Sequence, residues 1–426
     1  MNQAEAVAAV LAEVLPAPVE VASVERLAGG ASADLAAVDA VDATGVAHAL
    51  VMRTSGGQPT GGLRAGIPAE TAALRSAETA GVPVPSVVAA FVGDPVLGDG
   101  YLMTRREGQA LPAKLLRDPE FAGLREVLVA DAGRALAGIH RASPDGLARL
   151  GPRDQLDALA ALHRSFGHAN PVFDLALQWL ADRLPDPVRD AVVHGDFRMG
   201  NLLCDADGLV AVLDWELVHL GDPDEDLGWF CAPAWRFGGA GPAGGLGSRE
   251  ELLSAYAEAS GRTVDPERLR WWEVLATIKW GVICQYQASR VLTGGERSIE
   301  HALIGRRVTE VELDLLLLMG ADVDGTSADL HADPWPSADD LVRVTAAQLR
   351  EDVLPELEGR ARFLVRVAIN ALETVQREAT LGADVEAIEA EVSDGASREQ
   401  LLRWVLARLA IDNPAYPSIA DVPPTS

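Results

Sequence analysis

Residues 192–203 read VVHGDFRMGNLL, and residues 209–216 read LVAVLDWE. Two apolar runs enclose a polar loop with His194, Gly195, Asp196, Arg198, Gly200 and Asn201, and a third apolar run ends in Asp214. Short apolar runs broken by turn residues read as buried strands. A chain built this way must anchor the loop at both ends and lift Asp196 and Asn201 out of its core, with Asp214 at the end of the next strand. Phosphoryl transfer needs that arrangement: one Asp accepts the proton of an attacking hydroxyl, an Asn on the same loop ligates a metal, and a second acid holds the metal on the donor phosphates.

At 426 residues the chain exceeds one ordinary core, so two or three domains are expected. Thirty-six basic against 63 acidic residues give a net charge of −27, which argues against binding to nucleic acid or an anionic membrane surface. A cationic small substrate is compatible with this charge, and a solubilising surface explains it equally well. Cys204, Cys231 and Cys284 form no CxxC pair and read as free thiols of a reducing compartment. The N-terminal stretch MNQAEAVAAVLAEVLP reads as a helix ending near Pro16, without a basic leader. No apolar run has bilayer-spanning length, so a cytoplasmic protein that engages no membrane is expected.

Residues 17–54 alternate β-like runs with Gly-centred turns, as in a small antiparallel meander. A helix over IPAETAALRSAET ends at Gly81, and VPVPSVVAAFVGD and GYLMTR supply two more strands. From about residue 110 the periodicity becomes helical, and SREE at 248–251 has the form of a capping box. An Asp-, Ser- and Pro-rich stretch over 321–338 reads as a linker. Beyond it, Leu364, Val367, Ala368, Ala371 and Val375 make one apolar helical stripe.

HGDFRMGNLL followed by VLDWELVHLGDPDEDLGW resembles the aminoglycoside phosphotransferase family, relatives of choline kinases with a protein-kinase-like fold. The likeness covers roughly residues 20–320 and is nearest the branch with HGDxRxGN and DWE motifs, some of whose members are linked to hydroxylated acyl substrates. It implies an α+β fold with a small antiparallel β N-lobe over 1–104 and a mainly helical C-lobe over 105–325. A linker over 326–338 and a helical C-terminal domain over 339–426 follow. The resemblance makes Asp196 the catalytic base and Asn201 and Asp214 the metal ligands. Gly29, Gly30 and Ser32 fall at the phosphate-covering loop, and Arg53 stands where many kinases carry a lysine, to grip phosphates and pair with Glu70. Met103, Thr104 and Arg105 form the hinge that meets the adenine edge.

Around these residues, His194 is expected to brace the loop, Arg198 to neutralise the moving phosphoryl group or pin the loop, and Asp226 to tie the loop backbone. Glu216 assists metal or substrate, or orients the strand end through an ion pair. Asp222, Asp224 and Glu225 read as a solvated turn or as an acidic lip for a cationic acceptor, and Trp235 with Arg236 as an acceptor-pocket wall. The expected function is ATP- and Mg²⁺-dependent phosphorylation of a small-molecule hydroxyl, on an aminoglycoside-like or hydroxyacyl acceptor. The alternative is a catalytically weak kinase-like scaffold acting through its C-terminal helices, which could also mediate homodimerisation.

Overall fold

The computed structural model describes residues 2–27, 34–55, 64–320, 335–390, 398–412 and 414. The chain divides into two compact units, residues 1–280 with 311–322, and residues 281–310 with 323–426.

The first unit opens with α1 (Gln3–Ala12), started by a reciprocal cap in which Asn2 accepts from Glu5 N–H and Glu5 accepts from Asn2 N–H. Five strands follow: β1 (Val19–Arg26), β2 (Asp34–Asp42), β3 (Ala47–Thr54), β4 (Val87–Asp94) and β5 (Gly98–Thr104). They form one antiparallel sheet in the order β1-β2-β3-β5-β4. The β2–β3 turn is set by Asp42, whose carboxylate accepts from the Thr44 and Val46 N–H groups, with Gly45 at φ 87°. Alternate residues Ala36, Val38, Ala40, Leu50 and Met52 face inward, where Ala6, Val7 and Leu11 of α1 cover them. Between β3 and β4 lies α2 (Ile67–Thr79).

The helical lobe of this unit contains α3 (Pro112–Arg117), α4 (Ala122–Ile139), α5 (Pro152–Ser165) and α6 (Pro171–Asp182). Two small antiparallel pairs follow: β6 (Ala191–Val193) with β9 (His219–Gly221), and β7 (Leu202–Cys204) with β8 (Leu209–Val212). Next come α7 (Asp224–Cys231), α8 (Arg249–Ser260) and α9 (Pro266–Leu292), within which the two units divide. Ser248 caps α8 by accepting from Glu251 N–H, one half of the expected box. α4 and α8 approach closely at Gly133, where a Cβ would sit 2.7 Å from Leu252 O, so glycine is required there. Trp215, Trp271 and Trp272 are fully buried.

Residues 299–305 form α10 (Ile299–Gly305) of the second unit, and α11 (Val308–Leu318) leads to the undescribed stretch 321–334. The linker expected at 326–338 is therefore described only from Trp335 onward. The second unit continues with α12 (Ala338–Gln348), α13 (Gly359–Ala390) and α14 (Arg398–Asp412). Its core is small: Val291, Ala302 and Val344 cluster, with Leu341 against them. The apolar stripe of α13 is exposed; Leu364, Val367 and Val375 are 50%, 47% and 52% accessible. Across the 32 residues of α13, Ile369 is the buried one among the described residues. No described helix is long and apolar enough to cross a membrane.

Candidate active site

The loop between β6 and β7 is held from below. Asp226, fully buried on α7, accepts from the His194 and Gly195 N–H groups at 2.8 and 2.9 Å, and lies 3.3 Å from His140 Nε2. Gly195 has φ 81°, and a Cβ there would stand 2.6 Å from Leu217 O, so a side chain is excluded on both grounds. His194 is also fully buried. Its Nε2 lies 3.0 Å from Leu213 O, and its Nδ1 accepts from Asp196 N–H at 3.2 Å. Both bonds are satisfied by the neutral Nε2–H tautomer, and burial pushes the imidazole pKa down in the same direction. His194 therefore braces the loop, and Asp226 ties its backbone, as expected from the sequence.

Three side chains converge on the Asp196 carboxylate. Asn201 Nδ2 donates to Oδ2 at 2.7 Å and to the Asp196 carbonyl at 2.9 Å. Arg198 Nε lies 3.1 Å from each carboxylate oxygen, and Trp229 Nε1 donates to Oδ1 at 2.9 Å. Arg198 thus pins the loop, with its guanidinium 5.0 Å from the centre of the Trp235 ring. The Trp229 bond had no signal in the sequence beyond the position of Trp229 in DLGW.

The β7–β8 hairpin brings Asp214 to the same place. Leu202 pairs with Val212, and Leu213 N–H donates to Asn201 O at 2.8 Å, so the residue after Leu213 emerges beside Asn201. Asp214 has φ 64°, a left-handed conformation that Asp tolerates better than most residues. Burial, the Glu216 and Asp196 charges next, push its carboxyl up to about 6. Its carboxylate accepts no hydrogen bond from the described residues.

Arg53 enters from β3, 7% exposed rather than at a solvated strand end. Its guanidinium reaches Glu70 of α2 at 3.0 Å and Glu216 at 3.2 Å. Burial raises Glu70 to about 7 against the opposing pull of Arg53, because one cation is shared between two acids. Glu216 also lies 3.8 Å from Arg64, so its role as an ion-paired strand end is present.

These groups border a cleft of about 500 Å³ whose lining includes Arg53, Met103, Thr104, Asp196, Asn201 and Asp214. Arg105 does not line it; Asp39 of β2 holds its guanidinium at 2.6 Å, and the adjacent Arg106 lines the cleft instead. Gly29, Gly30 and Ser32 lie outside the described residues. Trp235 and Arg236 are not on the cleft wall either. Trp235 is 7% exposed and packs on Trp229 and Trp280, and Arg236 donates to Cys231 O.

Neither reading of Asp222, Asp224 and Glu225 holds, because all three are buried. Arg262 and Arg268 bind Asp224, Arg268 also binds Asp222, and His219 and Lys279 face Glu225 at 3.1 and 3.6 Å. The acids are internal struts, and the arginines that neutralise Asp222 and Asp224 come from residues far along the chain.

Comparison with known proteins gives this geometry a family. Residues 23–272, more than half of the chain, match the phosphotransferase enzyme family. The chain belongs to that family. Residues 355–400 match a second family, described as a domain of unknown function (DUF6285). The phosphotransferase resembles acyl-CoA dehydrogenase family member 10 of Mus musculus, 31% identical over 173 residues, which are 37% of this chain and 16% of that protein. It also resembles acyl-CoA dehydrogenase family member 11 of Homo sapiens, 26% identical over 252 residues, which are 54% of this chain and 32% of that protein. The match thus spans less than a third of the length of either relative. The crystal structure of a candidate aminoglycoside phosphotransferase from Ralstonia eutropha JMP134 superposes with a TM-score of 0.59 at 21% identity, over 75% of this chain and 98% of its own. The fold is accordingly the kinase-like one expected, with an antiparallel-sheet N-lobe, a mainly helical C-lobe and additional C-terminal helices.

Proposed function

We propose that this phosphotransferase moves the γ-phosphoryl group of ATP to a hydroxyl of a small molecule, with Asp196 as base. The observation that carries this reading is the set of three donors around Asp196, with Asp214 beside it in one cleft. A carboxylate fixed by Trp229, Arg198 and Asn201 is preoriented, so little reorganisation is needed when the acceptor hydroxyl approaches. Asp196 takes the hydroxyl proton, the acceptor oxygen forms its bond to the γ-phosphorus, and ADP leaves with the bridging oxygen. Catalysis is positioning and electrostatics, without a covalent enzyme intermediate.

The residues fit a divalent cation. With Nδ2 committed to Asp196, Asn201 keeps its carbonyl Oδ1 as an acceptor, and Asp214 carries a carboxylate whose ionisation is opposed by Glu216 and Asp196. Asn201 and Asp214 would hold Mg²⁺, which supplies charge neutralisation across the donor phosphates. Apolar Val51, Leu74, Met103 and Val212 line the cleft and suit an adenine ring, and Arg53 on the same cleft would face the phosphates. Met103 and Thr104 would offer hinge backbone; Gly29, Gly30 and Ser32, which the resemblance assigns to the phosphate-covering loop, lie outside the described residues. The domain plan of the proposal is an N-lobe over 1–104, a C-lobe over 105–325, a linker over 326–338 and a helical domain over 339–426.

Because Asp222, Asp224 and Glu225 are internally neutralised, they give no support to a polycationic acceptor. The test is ADP release from Mg²⁺-ATP with aminoglycosides, choline, homoserine and hydroxyacyl-CoA compounds as acceptors. Acceptor-dependent release with one of them supports the reading. Absence of ATP binding contradicts it.

A further inference from the structure

The helix α13 is 32 residues long, yet among the described residues Ile369 is its buried one. Helices in folded proteins owe most of their stability to a buried face, and among the described residues little covers this one. At 100° per residue, Arg360, Leu364, Val367, Ala371, Val375 and Glu378 all fall within about 60° of the direction opposite Ile369. Their spacing of 4, 3, 4, 4 and 3 residues is that of a coiled-coil seam. All six are exposed, including Leu364 at 50% and Val375 at 52%.

The charges along this helix say what covers it. Its first half holds Arg360, Arg362, Arg366 and a single acid, Glu373; its second half holds Glu378, Asp384, Glu386, Glu389 and a single base, Arg377. Several of these are engaged within the unit: Arg362 caps Leu354 O, Arg377 binds Ile411 O, and Glu373 pairs with Arg350. Arg360 and Arg366 at one end, and Glu378 and Glu386 toward the other, pair with no described residue. A helix that is basic at its start and acidic at its end complements its own reverse. It repels a parallel copy.

We propose that this face of α13 binds the same face of a second copy of the chain, antiparallel, about a two-fold axis. An isologous contact of this kind is self-complementary by symmetry. With Leu364 facing Val375 of the partner helix, Arg360 comes level with Glu378 and Val367 with the small Ala371, which permits close approach next to the axis. The overlap, residues 360–378, is about 28 Å long. The region matched by the domain of unknown function, residues 355–400, contains this whole face, which gives that domain the role of a dimerisation element. Each chain carries a net charge of −27, so the apolar seam and its end-to-end ion pairs must overcome long-range repulsion.

The test is the molar mass of the full chain by sedimentation velocity across a micromolar concentration range, in about 0.15 M salt to shorten the repulsion. The wild type sediments as a dimer. Val367→Asp weakens it about 100-fold, because it buries two like charges in the apolar seam beside the axis. Arg360→Glu and Glu378→Arg each weaken the dimer about tenfold, and the two together restore it, since the reversed pair attracts again. Helicity by circular dichroism stays at the wild-type level in the charge variants, separating loss of contact from loss of fold. A wild type monomeric at every concentration overturns the proposal. So does a dimer indifferent to Val367→Asp, or a double charge reversal no tighter than the singles.

Discussion

Trp229 Nε1 donates to Asp196 Oδ1 at 2.9 Å, tying the proposed base to the aromatic interior of the helical lobe. The indole is itself fixed, 5.2 Å from the Trp235 ring and 4.8 Å from Lys279 Nζ. Trp229→Phe keeps the ring and removes the bond, leaving Asp196 with Arg198 and Asn201. The account expects kcat to fall about 10- to 100-fold with the KM for ATP within about twofold, and stability to fall by about 1 kcal/mol. Steady-state kinetics and urea unfolding check both. An unchanged kcat means that Trp229 does not position the base.

Asp214 has a folded-state carboxyl raised to about 6 from 3.8. A raised carboxyl makes ionisation costly to the fold, so its contribution is present below about pH 4 and is lost as pH rises through about 6. Asp214→Asn removes that loss and accepts the left-handed backbone. The metal- and nucleotide-free variant is expected to exceed wild type by about 2 kcal/mol above pH 7, a gap that closes toward pH 4. Activity moves the other way and is lost. Denaturant melts at several pH values decide the first point. A variant less stable than wild type at pH 8 contradicts it.

Arg53 reaches both Glu70 and Glu216. Arg53→Met leaves two buried acids facing each other and costs about 3 kcal/mol at neutral pH. The cost is larger above neutral pH and shrinks as pH falls through about 7, because Glu70, already raised to about 7 with Arg53 in place, rises further without that cation and takes up a proton. Arg53→Lys keeps the charge without the fork that reaches both acids, and should fall between the two. Equilibrium unfolding at pH 5 and pH 8 tests the order.

Much of the site was legible in the sequence, and the reason is locality. Asp196, Asn201 and Asp214 sit at strand ends within 19 residues, so alternation and turn residues place them before any tertiary contact is known. The five-stranded sheet was readable for the same reason. The partners of Asp224 were not: Arg262 and Arg268 lie 38 and 44 residues downstream, and nothing in a run of acids says whether it faces water or two guanidinium groups. Arg105 misled because neighbouring arginines at the end of a strand point to different faces; Arg105 N–H donates to Ala49 O of β3, and Ala49 stands opposite Asp39 of β2, which gives Arg105 to Asp39. On α13, periodicity revealed an apolar stripe without revealing what lies against it.

Asp224 is fully buried between Arg262 and Arg268. Asp224→Ala strands two cations and is expected to destabilise the fold by about 3–5 kcal/mol. Asp224→Asn, keeping shape and some hydrogen bonds, costs less. In the Asn variant the acceptor KM should stay within about twofold of wild type, because this acid is buried and does not line the cleft. A selective rise in the KM of a cationic acceptor would restore the acidic-lip reading.

The most direct test of the central claim is transfer of the labelled γ-phosphoryl group of ATP by wild type and Asp196→Asn, with Mg²⁺-ATP affinity measured on the same preparations. The account predicts that Asp196→Asn loses transfer by at least about 1,000-fold while binding Mg²⁺-ATP within about threefold of wild type. Transfer at the wild-type rate in the variant would show that Asp196 is not the base.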